Sequence, residues 1–204
     1  MVKTTLIKIQ LGHIKVDVKA LGVDMLSASA HKFNGPKGIG FLYVKAGTKI
    51  MPYADGGAQE SGQRAGTENI AAIVGMATAL QLNCGAIDKN NRCLLEMEDA
   101  LLGRLDASRV EYVRNGSQNH VPGNISLSFK GFEGEMLLHR LDLKGICVST
   151  GSACDSKNTQ ISHVLQAIQL ERVYALGTIR VSLSKSNSID DAIAIADAIL
   201  AVVK

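Results

Sequence analysis

The chain has 204 residues, 46% hydrophobic and 20% charged, a globular composition with room for one sizeable core or two smaller ones. A net charge of +3 without a dense Lys/Arg run, and 4% aromatics with no Trp, argue against a nucleic-acid partner. No apolar run approaches the ~18 residues of a membrane helix, and the opening MVKTTLIKIQLGH lacks the form of a secretion signal, so the expectation is a cytoplasmic protein with no membrane association.

In chain order, Leu26–Ser29 and Gly40–Val44 read as strands around the Gly/Pro-rich loop HKFNGPKGIG. Residues 52–66 form a second loop with four glycines. From Thr67 the pattern is helical, with Ile70, Ile73, Val74, Ala77 and Leu80 on one face and a break near Asn83–Gly85. A second amphipathic helix runs to about Leu105 on Leu94, Leu95, Met97, Leu101, Leu102 and Leu105. Asn124–Phe129 reads as a strand, Glu133–Leu143 as a helix closed by Lys144-Gly145, and Ile146–Val148 and Ile179–Leu183 as short strands. Ser188 and Asp191 resemble a capping box that opens the last helix, whose buried face would be Ile189, Ala192, Ile193, Ala196, Ile199, Leu200 and Val203. The expectation is an α/β chain in two parts, residues 1–85 and 86–204.

Four places could carry chemistry. Lys32 follows an apolar strand at the mouth of a Gly-rich loop, with Ser29 and His31 as donors beside it. It is either a solvated loop lysine or an amine held for Schiff-base chemistry. Thr67, after Gly66 at a helix start, is either a plain N-cap or part of an anion site. Cys154, in GSACDS, is either an incidental exposed thiol or a nucleophile on an accessible loop. Arg180, in IRVSL, either faces solvent or offers a fork to a carboxylate. Cys84, Cys93 and Cys147 sit in or beside apolar segments and read as buried core thiols. With no CxxC pair and no His spacing of a ligand set, no metal site is expected; His13, His120, His139 and His163 read as surface or core residues.

Taken in order, DMLSASAHKFNGPKGIGFLYVK, GGAQESGQRAGTEN, NISLSF–GEMLLHRLD–GICVSTGSAC, SHVLQA and IRVSLS resemble the cysteine desulfurases of the class V aminotransferase fold, enzymes of iron–sulfur cluster assembly. The resemblance covers the chain from about Gly12 to the final helix. It implies pyridoxal 5'-phosphate (PLP) as cofactor and L-cysteine as substrate. It implies that Lys32 carries the cofactor, that Ser29 and His31 hold its phosphate, and that Thr67 reaches the phosphate in a partner subunit of a homodimer. Arg180 would take the substrate carboxylate, and Cys154 would accept the sulfur and pass it to an acceptor or scaffold protein. Ser162-His163-Val164-Leu165 would follow the cysteine loop in a structural role.

The same resemblance marks departures. The family's chains are about twice this long, so the expectation is a remnant of the large PLP-binding domain followed by a small C-terminal α/β domain. Aligned on Gly12-His13, Leu6 and Ile9 stand where the family has the Asp that pairs with the pyridine nitrogen and its companion Gln. Ile168-Gln169 stands where a Gly is usual. Two functions therefore stay open. One is a desulfurase, or a close relative acting on selenocysteine, completed by a missing N-terminal half. The other is a catalytically silent remnant that serves as an interaction module and does not retain PLP. Exposed sheet edges imply self-association or a partner chain.

Overall fold

The computed structural model describes residues 5–7, for which only the strand is given, 11–150 and 161–204. They fall into two compact units, Met1–Asp88 and Lys89–Lys204, each with its own core.

The first unit is a three-stranded sheet in the order β1 (Thr5–Ile7), β2 (Met25–Ser29), β3 (Gly40–Val44), with helix α1 (Ile70–Gly85) against it. Strand β1 runs parallel to β2, and β3 antiparallel to it. Alternation along β2 sends Leu26 and Ala28 inward, where they meet Ala30, Phe33 and the Met76, Ala79 and Leu80 side of α1. The register brings Gly40 opposite Ser29, and a Cβ on Gly40 would lie 2.4 Å from the Ala28 carbonyl oxygen, so only glycine fits.

Helix α1 departs from expectation at its start. It begins at Ile70, capped by the Asn69 side chain accepting from the Ala72 N–H at 3.1 Å, and not at Thr67. It ends at Gly85, where the break is expected, with Asn83 buried in its last turn. Ile70 and Val74, expected to be buried, are exposed, as is Leu82; the helix is apolar on both sides and packs by the other one.

The second unit takes in most of α2 (Ile87–Asp106) and an antiparallel sheet in the order β4 (Tyr112–Asn115), β5 (Asn124–Phe129), β6 (Thr178–Ser182). Helices α3 (Gly134–Asp142), α4 (His163–Ala167), α5 (Arg172–Ala175) and α6 (Ile189–Val203) complete it. One sheet face buries Ile125, Leu127, Phe129, Ile179 and Val181 in a core shared with Leu94, Met97, Leu101 and Leu105 of α2, Leu137 and Leu141 of α3, and Ala192, Ala196, Ile199 and Leu200 of α6. The opposite face carries Asn115, Ser126, Ser128, Thr178 and Arg180, as alternation requires.

The Ser188–Asp191 capping box is formed in both directions. Ile189 and Ile193 of the expected α6 face are exposed, and Val202 is buried in addition. Ile146–Val148 is not a strand; the pairing there is one isolated bridge between Ser149 and Arg180. Strands β1 and β4 and the short helices α4 and α5 were not expected.

Candidate functional site: the lysine-bearing turn

Strand β2 ends at Ser29 and passes directly into a 3-10 helix, Ala30–Phe33. Side chains three apart eclipse in such a helix, so Ala30 and Phe33, both fully buried, point into the core together. His31 and Lys32, between them, are turned out, and Ser29 is exposed at the strand end. The backbone leaves the turn at Asn34, in the left-handed region at φ 62°, while the Gly35 N–H donates to the Ala30 carbonyl at 2.9 Å and the Ala30 N–H to the Ile39 carbonyl at 3.0 Å.

Two further residues pin this turn. Buried Asn83 donates Nδ2 to the Phe33 carbonyl at 2.8 Å and to the Ala79 carbonyl at 2.7 Å. His13 Nε2 lies 3.2 Å from the Lys32 carbonyl oxygen, and since a carbonyl only accepts, that nitrogen carries the proton. Gly12, at φ +80°, brings His13 there; a Cβ on it would sit 2.7 Å from the Asn83 Cβ. Gly75 similarly lets α1 approach Pro36, whose Cγ would be 2.9 Å from an added Cβ. Lys32 thus stands on a backbone held from both sides while its side chain reaches outward.

Whether these residues fit PLP is tested by the turn itself. Ser29, His31 and Lys32 share the exposed side of one rigid turn, giving hydroxyl, imidazole and amine donors suited to a phosphate and an aldehyde. Leu6 lies in strand β1.

Thr67 is exposed and leaves the N-cap to Asn69. The loop before it is tied by the Gln59 side chain, whose Oε1 accepts from the Gly66 N–H at 3.1 Å, and Glu60 and Ser61 both adopt left-handed backbone at φ 50° and 56°. Among the described residues no hydrogen bond joins Thr67 to Ser29, His31 or Lys32.

Arg180 lies on β6 in the second unit, half-buried on the polar face. Its backbone exchanges two hydrogen bonds with Ser149, at 2.7 and 3.1 Å. Cys154 lies outside the described residues. The other three thiols correct the expectation: Cys84, Cys93 and Cys147 are all exposed, since each occupies the outward side of its helix or loop while Asn83, Leu94, and Ile146 with Val148 take the inward places. Among the described residues no group of three or more His, Cys, Asp or Glu could hold a metal ion, and no single helix is long and apolar enough to cross a membrane.

Sequence reasoning missed a buried charged cluster. Glu98 of α2, 1% exposed, accepts from the Gly123 N–H at 2.6 Å and from Arg114 at 3.0 Å, and His120 Nε2 lies 2.8 Å from the same carboxylate and 2.9 Å from the Arg114 guanidinium. The available signal was its spacing: Glu98 sits four after Leu94 and three before Leu101, on the apolar stripe of α2.

The chain is a mixed α/β protein with a lysine on a clamped turn after its second strand. The chain belongs to the aminotransferase class-V family, whose model matches residues 9–194. It is 47% identical over 182 residues to the cysteine desulfurase IscS of Dictyoglomus turgidum, covering 89% of this chain and 46% of that one. Against the IscS of Methanosarcina thermophila it is 42% identical over 181 residues, covering 89% and 45%. Among solved structures it is similar to a NifS-like protein, with a TM-score of 0.87 and 31% identity over 98% of this chain and 52% of that one. The NifS-like protein of Rickettsia africae gives a TM-score of 0.86 at 29% identity, over 98% and 53%. The chain spans about half the length of the relatives it matches.

Proposed function

We propose that the chain is part of a PLP-dependent cysteine desulfurase that converts L-cysteine to L-alanine and leaves the sulfur as a persulfide on Cys154. The observation that carries this reading is the clamped turn. Ala30 and Phe33 are locked inward, His13 and Asn83 hold the backbone, and Ser29, His31 and Lys32 are left on one exposed side.

In this reading Lys32 holds the cofactor and Ser29 and His31 hold its phosphate, with Thr67 contributing to the phosphate of a second subunit's cofactor. Bound PLP supplies an electron sink for the substrate's α-carbon. Lys32 moves the proton at that carbon, which a rigid backbone favours by fixing where the amine returns. Arg180 binds the substrate carboxylate through its planar fork. The Cys154 thiolate attacks the substrate sulfur; the S–S bond forms as the C–S bond breaks, and the carbon keeps that electron pair and takes a proton to become the alanine methyl. An acceptor protein then takes the sulfur.

The relatives' greater length and the apolar exposed side of α1 support association with further polypeptide, either the remaining half of a large domain or a second copy of the chain. The same apolar side favours the second reading, a silent module that docks through α1.

The test is to add PLP to the purified full chain, reduce with borohydride and map the adduct by peptide mass. A phosphopyridoxyl group on Lys32, lost in Lys32→Ala, is expected. Label spread evenly over the surface lysines would sink the reading and leave the docking module.

A further inference from the structure

Strand register sets a polar row across the second unit. Asn115 pairs with Ser126, Ser126 with Arg180, and Arg180 with Ser149, so the four stand side by side on one face. Directly opposed residues hold their Cβ atoms about 5 Å apart.

The protons in this row can be counted. Ser128 Oγ and Thr178 Oγ1 lie 2.6 Å apart, where either can donate, and Thr178 Oγ1 is 3.4 Å from the Tyr174 carbonyl. Ser128 accepts from Asn115 Nδ2 at 2.7 Å. The second Nδ2 proton of Asn115 goes to Ser126 Oγ at 3.0 Å. Ser126 accepts but, among the described residues, its own O–H meets no acceptor. That spare donor belongs to a residue that the register sets directly opposite Arg180, both half-buried.

A donor next to a guanidinium suits an anion. A carboxylate held by an arginine fork keeps lone pairs to spare, and a hydroxyl is a good second partner for them. We propose that Ser126 is a specificity-determining contact that donates its O–H to the substrate carboxylate held by Arg180, and that Asn115 is its positioning residue. Asn115 acts by filling the Ser126 lone pair on the strand-β4 side, which turns the proton toward β6. The inference rests on the reading of Arg180 as the carboxylate arginine.

Titrating the full chain with L-cysteine under reducing conditions, while following the amide resonances of Ser126 and Arg180, tests it. Saturable shifts at both are expected, with affinity about tenfold weaker in Ser126→Ala, as for a lost hydrogen bond to a charged group. Ser126→Thr, which keeps the hydroxyl and suits a strand, should restore it. Asn115→Asp should weaken binding as Ser126→Ala does, because the new carboxylate captures the serine proton. L-cysteine methyl ester, which has no carboxylate, should bind equally to wild type and Ser126→Ala. If Arg180→Ala abolishes saturation while Ser126→Ala matches wild type, the role of Ser126 is overturned and that of Arg180 stands. If Arg180→Ala binds as wild type does, or wild type never saturates, the carboxylate reading falls and the Ser126 role with it.

Discussion

Asn83 donates its side-chain amide to the carbonyl of Phe33, a bond of 2.8 Å that ties α1 to the lysine-bearing turn 50 positions earlier. The acceptor is buried, so no water replaces the amide when it is lost. Asn83→Ala should cost about 1–3 kcal/mol, the penalty for a buried polar group left unpaired. The effect should be local as well as global. Amide exchange at Gly35, whose N–H closes the turn onto Ala30, should quicken more than exchange in β6, which belongs to the other unit. Equal acceleration in both places would mean that Asn83 stabilises the chain without organising the turn.

The α6 capping box makes an acid-side prediction. The Ser188 backbone N–H, followed by its hydroxyl, holds the Asp191 carboxyl below its ordinary range. A folded-state value below the unfolded one means that the contribution is fully present above the unfolded value of about 3.9 and is lost as pH falls through the folded one. Stability of the second unit should therefore fall on acidification, and Asp191→Asn should flatten that fall. Ser188→Ala, which removes the reciprocal bond to the Asp191 N–H, should cost about 1 kcal/mol at neutral pH. Urea denaturation across the acid range measures both, and an unchanged acid slope in Asp191→Asn would exclude the carboxylate as its source.

The residues that could be read in advance are those whose pattern is local. Ser188 and Asp191 declare their cap by spacing, β2 and β3 by short apolar runs between turn residues, and Leu94, Met97, Leu101 and Leu105 the inward side of α2 by period. What escaped depends on contacts distant in the chain. The break after Gly85 is legible, but nothing nearby says that the Asn83 amide meets Phe33, and Thr67 looks like the cap until Asn69 is nearer the first free N–H groups. β4 escaped because its four residues include Arg114 and Asn115, polar groups whose donors are taken up by α2 and β5. The exposed thiols were misjudged because apolar surroundings in sequence say nothing about which side of a helix a residue takes. Of the candidate site, Ser29, His31 and Lys32 were legible as a motif, but His13 and Asn83, which make the turn rigid, were not.

The Glu98 cluster should be the most sensitive polar point of the second unit. Its carboxylate is almost wholly removed from water, accepts from Arg114 at the end of β4 and from the Gly123 N–H in the turn before β5, and touches the His120 ring. Glu98→Ala strands the Gly123 N–H and leaves Arg114 only the His120 ring. Breaking a buried ion pair from one side costs about 3–5 kcal/mol. The lower part of that range is expected, since Arg114 is one-third exposed and can regain water. Arg114→Ala should cost less, because Glu98 keeps the Gly123 N–H. The two changes should also be non-additive, as the bond each removes is the same one. A double-mutant cycle in urea, read on the amides of Leu127 and Ile179 in the adjoining strands, measures the coupling. Additive losses would show that Glu98 acts through Gly123 and His120 alone. The cluster would then be a clasp on the turn before β5, with Arg114 merely screening its charge.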